Sequence, residues 1–140
     1  MEKWMLYFLL FLAPLAMAAQ DAAKGTVIFY RLNYGCCRTS VWIDGKKVAE
    51  IGRESHAKAE LTPRKHEFHS RTKDFPVVIN VEAGHTYYLR DDFIAPTTFT
   101  VPQIFTLVPE ETGEAQCKKT KPIKRDSIED PSLIVEEKRK

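Results

Sequence analysis

SVWIDGKKVAEI, residues 40–51, carries the strongest local structural signal in this chain. Val41 and Ile43 share one face of a first alternating segment, and residues 47–51 form a second segment after Asp44-Gly45. Asp and Gly tolerate the positive φ angles of tight primed turns, and alternation is typical of a strand with one buried face. The stretch therefore predicts a β-hairpin.

Further strands are predicted on both sides of this hairpin, with turn residues between them. Their segments are rich in β-branched and aromatic residues or alternate between apolar and polar types, and Pro76 restricts one of them to an edge or a strand start. They comprise residues 25–32, 55–61, 66–70, 75–81, 86–90 and 97–108. Strands that recur about every 8–12 residues are typical of a sandwich. We therefore predict an all-β fold, a single antiparallel β-sandwich over residues 20–117.

The start of the chain has the pattern of a signal peptide. Lys3 supplies a positive charge, residues 4–15 are almost wholly apolar, and Ala16 and Ala18 form an A-x-A cleavage signal. A helix that crosses a membrane needs about 20 apolar residues, which is more than this run offers. We predict a signal peptide over residues 1–19 and a periplasmic or secreted mature chain with no stable membrane span, the alternative being a signal that stays as an anchor.

The pattern changes after the last predicted strand. Residues 110–119 are predicted to form one short helix despite Gly113. Residues 118–140 hold many charges, two prolines and few apolar side chains, a composition typical of segments that bury too little apolar surface to fold. We predict that this charged C-terminal tail is mostly disordered.

Charge and motifs argue against several classes of function. The formal net charge of the chain is +2, without the clustered basic stripe of a nucleic-acid-binding protein. The chain contains no G-x-S-x-G, H-E-x-x-H, P-loop or dinucleotide-binding motif. His66 and His69 are three residues apart on a predicted strand, which turns their rings to opposite faces. Asp91 and Asp92 are interpreted as solvated loop charges. We expect no nucleic-acid partner, no metal or cofactor, and no enzymatic activity.

Three cysteines follow the predicted signal, namely Cys36, Cys37 and Cys117. In an oxidising compartment one of the adjacent pair can bridge to Cys117, and closing so long a loop is worth about 4 kcal/mol in the chain-entropy model. The third thiol is then free, buried or paired with another chain. A bond between Cys36 and Cys37 themselves is the strained alternative. We predict the bridge to Cys117, with the other pairings left open.

Four aromatic side chains with polar atoms are candidates for a binding surface, since exposed Tyr and Trp are common anchors in interfaces. They are Tyr34, Trp42, Tyr87 and Tyr88. Tyr87 and Tyr88 are adjacent on a predicted strand, so one ring faces the core and the other the surface. The alternative is that these rings complete a small core.

Four segments in this order resemble a known bacterial domain of unknown function: GTVIFYR (25–31), VWIDGKKVAEI (41–51), ELTPRKHEF (60–68) and INVEAGHTYYLR (79–90). Its members occur in lipoproteins and periplasmic proteins of the cell envelope, and it is similar to PEGA-type β-sandwich modules. The resemblance implies an Ig-like or PEGA-like sandwich and an envelope location, and it implies no activity. The chain departs from the family at Arg64, where the turn usually has Gly, and in lacking the lipobox cysteine.

These observations predict an exported, non-enzymatic periplasmic β-sandwich that binds an envelope protein or glycan. Two alternatives stay open. One is an envelope hydrolase whose active site is assembled from scattered residues, and the other is a thiol-based redox-responsive module.

Overall fold

The computed structural model describes residues 23–35, 37–93 and 103–140. The predicted signal peptide, Cys36 and the first part of the predicted strand at 97–108 lie outside the described residues. No helix in the described part of the chain is long and apolar enough to cross a membrane.

The described residues form ten strands, one α-helix and one short 3₁₀ turn. The strands are β1 (Gly25–Arg31), β2 (Thr39–Ile43), β3 (Lys46–Ile51), β4 (Ser55–Leu61), β5 (Lys65–His69), β6 (Val77–Asn80), β7 (Thr86–Phe93), β8 (Gln103–Val108), β9 (Lys121–Pro122) and β10 (Ile134–Val135). The helix α1 spans Glu110–Cys117, and the 3₁₀ turn spans Arg125–Ser127. The predictions of a mostly β protein and of a short helix after the last long strand are confirmed.

The strands form two sheets. The first has the order β10-β4-β1-β7-β8, with β9 also paired to β4, and the second has the order β3-β2-β5-β6. The predicted hairpin is β2–β3, and its turn places Asp44 at φ 50° and Gly45 at φ 80°. These are the positive angles that make Asp-Gly a favoured pair in tight hairpins.

The first sheet is mixed, so the prediction of a purely antiparallel fold is wrong. β1 pairs in parallel with β7, with Thr26 opposite Thr86 and Tyr30 opposite Arg90. β9 is also parallel to β4. Parallel neighbours need a long crossover connection rather than a hairpin. Here the chain builds β2 to β6 before it returns as β7 beside β1.

The prediction of a disordered tail at residues 118–140 is also wrong. This C-terminal segment contributes β9 and β10, both paired to β4, and Ile123 and Ile134 are buried with 6% and 2% of their surface exposed. An outer strand such as β4 needs partners for its backbone groups, and the C-terminal segment supplies them. A few apolar side chains therefore suffice to hold it, and the domain does not end at residue 117.

The main core joins side chains from both sheets. Phe29 of β1 contacts Phe68 of β5 and Phe105 of β8, with ring centroids 5.6 and 5.2 Å apart. A smaller cluster on the other face of the first sheet contains Tyr30, Tyr88 and Val108, with Cys117 of α1 packed against it.

Candidate functional site

A cleft lined by positively charged side chains lies where the β3–β4 turn meets the C-terminal segment. Its volume is about 260 Å³, and four cationic residues and one acidic residue, Glu50, line it. The cationic residues are Arg38, Arg53, Lys124 and Arg139. We call this feature the cationic cleft. Its four cations come from three separate parts of the chain: the approach to β2, the β3–β4 turn and the C-terminal segment.

Backbone hydrogen bonds hold the two walls of the cationic cleft together. In the β3–β4 turn, the Ser55 hydroxyl accepts from the Gly52 N–H at 2.8 Å and donates to the Gly52 carbonyl at 2.7 Å. The C-terminal segment is attached to this turn because Lys121 N–H donates to Glu54 O at 2.8 Å and Ile123 N–H donates to His56 O at 3.0 Å. The cleft is therefore a product of the docked C-terminal segment.

Three of the cationic side chains are anchored through polar contacts that leave part of each guanidinium free to bind. Arg53 donates from Nε and Nη2 to the Gly35 carbonyl at 3.2 and 2.8 Å. Arg139 donates from Nε to the Pro122 carbonyl at 2.7 Å. Arg38 reaches the Ser127 hydroxyl from Nη1 at 3.4 Å.

The charge of the cationic cleft is not balanced by its own carboxylate. Glu50 Oε1 pairs with Lys47 Nζ at 2.8 Å, whereas its other oxygen lies farther from the cleft residue Arg38, at 4.0 Å from Nη1. Within the described part of the chain, no carboxylate lies within ion-pair distance of Arg53, Lys124 or Arg139. The concave surface of the cleft therefore carries an excess of positive charge.

The cationic cleft borders a wider cavity of about 700 Å³, with which it shares Ile123, Lys124 and Arg139. This second cavity is lined only by residues 123–125 and 136–139 of the C-terminal segment. Together the two cavities offer a concave surface that extends along the segment.

The four predicted aromatic residues do not form one surface. Tyr88 is 8% exposed and packs edge-on against Tyr30 at 6.4 Å, so its prediction as a surface residue is wrong. The cause is α1, which lies on that face of β7. The other three rings are half-buried, and their role in binding stays a prediction.

Internal contacts occupy each of those three rings. Trp42 is stacked on His69 with centroids 5.3 Å apart, and Lys73 Nζ lies 5.5 Å from its ring centre. The Tyr87 hydroxyl accepts from Glu82 N–H at 3.1 Å. The Tyr34 hydroxyl donates to the Asp91 carbonyl, and burial raises the pKa of Tyr34 well above its usual range.

Cys117 carries a free thiol, so the predicted bridge from Cys36 or Cys37 to Cys117 is not formed. Its sulfur lies at the end of α1, 3.6 Å from Thr120 Oγ1. That hydroxyl is in turn 2.8 Å from His56 Nδ1, and His56 Nε2 is 2.9 Å from Glu137 Oε2. The thiol is thus held in a polar cluster. The alternative bond between Cys36 and Cys37 stays a prediction.

His66 and His69 are buried, and each has its own partners. His66 Nδ1 lies 2.6 Å from Asp44 Oδ2, and its Nε2 lies 2.8 Å from the Thr62 carbonyl. His69 Nδ1 lies 2.6 Å from the Ser70 carbonyl. Among the described residues, no group of three or more His, Cys, Asp or Glu side chains has the arrangement of a metal site.

A buried ion pair between Arg31 and Asp91 was not predicted from the sequence. Arg31 Nε lies 3.3 Å from Asp91 Oδ2, and both side chains are fully buried, Arg31 at the end of β1 and Asp91 within β7. The interpretation of Asp91 as a solvated loop charge is therefore wrong, because β7 continues through Phe93. Burial raises the pKa of Asp91 to about 7, although the charge of Arg31 opposes the rise and that of Asp92 adds to it.

The comparisons with known proteins show no relative of this chain. No protein-family model, no curated protein and no solved structure matches it. The resemblance to the envelope domain family stays a prediction, and the geometry of the cationic cleft supplies the argument for function.

Proposed function

We propose that this chain is an exported, non-enzymatic binding module of the cell envelope, and that the cationic cleft binds its partner, an envelope protein or glycan. The observation that carries the proposal is the convergence of Arg53, Lys124 and Arg139 on one concave surface, with no carboxylate partner among the described residues. Clustered charge in a cleft attracts ligands of the opposite sign, and anchored side chains lose less entropy when a ligand binds.

The residues that line the cationic cleft favour binding over catalysis. A guanidinium stays protonated at all physiological pH values and cannot serve as a general base. No histidine is among the described residues that line the cleft, and the Ser55 hydroxyl already bonds Gly52. A nucleophile with a base in reach, which covalent catalysis requires, is not assembled among these lining residues. The hydrolase alternative stays a prediction.

Photo-crosslinking in intact cells tests the proposal. Asp126 is exposed beside the cationic cleft and is not one of its cations, so a benzophenone amino acid at this position keeps all four of them. Val78, which is 53% exposed on β6 of the second sheet, is the matched control position. We expect one dominant envelope component to crosslink from position 126 and not from position 78, as identified by mass spectrometry.

A double substitution in the cationic cleft provides the outcome that would contradict the proposal. In the Arg38→Gln/Arg53→Gln variant the crosslink from position 126 is expected to disappear, because two anchored donors of the cationic cleft are lost. Equal capture from positions 126 and 78, or capture that survives the double substitution, contradicts binding at the cleft.

Export and cleavage are separate parts of the proposal. Residues 1–19 have the signal pattern described above, which supports a mature chain that begins near Ala19 or Gln20. N-terminal sequencing of the protein from a periplasmic extract is expected to begin there. Recovery of the full-length chain from the membrane fraction contradicts cleavage and favours the anchor.

We also propose that the two sheets pack face to face as an Ig-like or PEGA-like sandwich. The support is the core that joins both sheets, as in the contact of Phe29 with Phe68. An experimental structure in which the two sheets share no common core would contradict this arrangement.

A second candidate function, the thiol-based redox response, is favoured by the surroundings of Cys117. Burial of the His56 ring opposes its protonation, but the neighbouring Cys117 and Glu137 raise its pKa above the usual value. The Cys117 sulfur lies 3.6 Å from Thr120 Oγ1, and that hydroxyl lies 2.8 Å from His56 Nδ1, so the imidazole is placed to take up the thiol proton through the hydroxyl. In the proposed step, the Cys117 thiol gives up its proton to His56, its sulfur attacks one sulfur of a small disulfide to form a mixed disulfide, and the other half leaves as a thiolate.

The reaction with oxidised glutathione tests this second candidate. His56→Gln is expected to slow mixed-disulfide formation at Cys117, whereas His85→Gln, on an exposed turn, leaves the rate unchanged. Urea unfolding of both variants separates a loss of reactivity from a loss of structure. An unchanged rate in a folded His56→Gln variant contradicts the redox role.

A further inference from the structure

The cationic cleft offers guanidinium donors that its own contacts use only in part. Arg53 uses Nε and Nη2 on the Gly35 carbonyl, and Arg139 uses Nε on the Pro122 carbonyl. Among the described residues, none accepts a hydrogen bond from Nη1 of Arg53 or from the two terminal nitrogens of Arg139, which leaves them as donors for a ligand. Guanidinium groups match the planar fork of a carboxylate and the oxygen pairs of a phosphate. An oxyanion in the cleft also relieves the mutual repulsion of its cations.

The lining favours a glycan over a membrane or a peptide. Membrane-surface segments insert apolar side chains, and the anchors of protein interfaces are enriched in tryptophan and tyrosine beside arginine, whereas no aromatic residue is among the described residues that line the cleft. The three large apolar side chains that are well exposed among the described residues, Phe75, Val78 and Leu107, do not line the cleft, and its large apolar residue Ile123 is only 6% exposed. Charge and hydrogen bonding therefore dominate the surface offered to a ligand.

The shape of the site suits a chain-like ligand. The adjoining cavity of about 700 Å³ shares Ile123, Lys124 and Arg139 with the cationic cleft and adds Lys138 and Arg125 to its border. It also adds two carboxylates, Glu136, which lies 3.9 Å from Arg125 Nε, and Glu137, which lies 2.9 Å from His56 Nε2. A polymer held at one anionic substituent in the cleft therefore has further concave surface along the C-terminal segment, where Lys138 has no carboxylate within ion-pair distance among the described residues.

Resting on the proposed function, we infer that the ligand is an anionic envelope glycan whose phosphoryl or carboxylate substituent sits between Arg38, Arg53 and Arg139. Both substituents are oxyanions with the same hydrogen-bonding chemistry, and matched polymers distinguish them. The inference names a ligand class for the site and requires no reaction.

Titration of the purified chain, from residue 20 onward, with three forms of one polymer tests the inference. The probes are neutral dextran, carboxymethyl dextran and phosphorylated dextran, followed by calorimetry and by amide shifts in NMR spectra. We expect the anionic forms to bind and the neutral form not to bind, with shifts at the β3–β4 turn and the C-terminal segment. A preference between the two anionic forms identifies the substituent.

Matched variants separate a specific site from general charge attraction. Arg38→Gln/Arg53→Gln is expected to weaken binding at least about tenfold, because hydrogen bonds to charged groups are lost. Lys65→Gln/Arg71→Gln removes the same charge from exposed positions outside the cleft and is expected to have little effect. Equal weakening by both pairs overturns the inference, since it shows attraction by net charge alone.

The remaining outcomes distinguish failure of the inference from failure of the proposed function. Binding to phosphatidylglycerol vesicles in place of the dextrans overturns the glycan in favour of a membrane. No binding to any dextran, with a cleft-dependent crosslink at position 126 in cells, overturns the inference and leaves the proposed function standing. Cleft-dependent binding to anionic dextran without that crosslink supports an anionic polysaccharide as the ligand class of the cleft and contradicts the proposed function in the envelope.

Discussion

Arg31, at the end of β1, and Asp91, within the parallel strand β7, place opposite charges in the protein interior. The Arg31 guanidinium also donates to the Cys37 carbonyl and lies 5.5 Å from the ring centre of Phe93. A buried carboxylate loses its hydration, and one ion-pair partner at 3.3 Å offsets only part of that cost. This balance explains why burial lifts the pKa of Asp91 to about 7 in spite of the neighbouring guanidinium.

Asp91 is expected to make the stability of the protein depend on pH. Its pKa rises from 3.8 to about 7 on folding, so the folded state binds the proton more tightly than the unfolded state. The contribution to the free energy of unfolding is therefore complete below about pH 4 and is lost as pH rises through 7. Urea unfolding between pH 4 and 8 is expected to show the wild type losing stability relative to Asp91→Asn over this interval.

The exposed Asp74 provides the control for this measurement. The Asp74→Asn variant removes a carboxyl from an exposed position and is measured in parallel, so that the pH dependence specific to the buried Asp91 is obtained by difference. A difference between the wild type and Asp91→Asn that does not change with pH contradicts the shifted pKa, because it means that Arg31 keeps the carboxylate ionised throughout.

At the scale of the element, Gly113 lets α1 approach the first sheet. A Cβ atom at this position would lie 2.2 Å from Tyr88 Cγ, far inside van der Waals contact. Alanine in a helix is normally favoured over glycine by up to about 1 kcal/mol. Here the clash of the added methyl group with the Tyr88 ring on β7 outweighs that preference. Gly113→Ala is therefore expected to lower the free energy of unfolding by about 1–3 kcal/mol, as measured by urea unfolding.

Gly52→Ala is the matched control for this substitution. An added Cβ at Gly52 meets only Arg38 Cγ at 3.8 Å, which is ordinary contact. Its stability is expected to be unchanged or slightly raised, because alanine reduces the entropy of the unfolded chain. If Gly113→Ala is as stable as Gly52→Ala, the close packing of α1 on Tyr88 is wrong.

The C-terminal segment is expected to be a stabilising element, since its Ile134 is 2% exposed and β10 pairs with β4. Ile134→Ala should lower the free energy of unfolding by about 2–5 kcal/mol, through lost burial and the cavity left behind. Leu107→Ala, which truncates a side chain that is 49% exposed, is expected to cost much less. Equal effects of the two substitutions in urea unfolding would mean that the segment is not docked.

At the scale of the whole molecule, local signals in the sequence predicted the strands and missed the distant contacts. Asp44-Gly45 and the alternation around it specify the β2–β3 hairpin, because turn chemistry and side-chain period are properties of neighbouring residues. The parallel pairing of β1 with β7 leaves no such signal, since no turn connects them. Burial of Arg31 follows only from that pairing.

The cationic cleft could not be predicted from the sequence for the same reason. Arg38, Arg53, Lys124 and Arg139 are far apart in the chain, so no spacing pattern joins them. The composition of the C-terminal segment, with its many charges, also led to the wrong prediction of disorder there. Its isolated Ile123 and Ile134 are enough for docking because the edge of β4 is already formed and supplies the backbone partners.

The C-terminal segment also contacts the second sheet, and this links the two sheets in unfolding. Glu129 and Asp130 donate from their N–H groups to the Val48 carbonyl at 2.9 and 3.1 Å, and Lys46 Nζ lies 2.8 Å from Asp130 Oδ2. A segment paired to β4 of the first sheet and bonded to β3 of the second transmits the loss of either sheet to the other. We therefore expect the domain to unfold as a single cooperative unit.

Trp42 provides a probe of this cooperativity, because it lies on β2 of the second sheet and is the sole tryptophan of a chain that begins at residue 20. Its fluorescence and the far-ultraviolet circular dichroism are expected to report the same urea midpoint. Ile134→Ala, on the first sheet, should lower both midpoints equally. If the substitution lowers the midpoint of the circular dichroism but leaves the midpoint of the Trp42 fluorescence unchanged, the two sheets unfold separately. The C-terminal segment would then be bound to the first sheet alone.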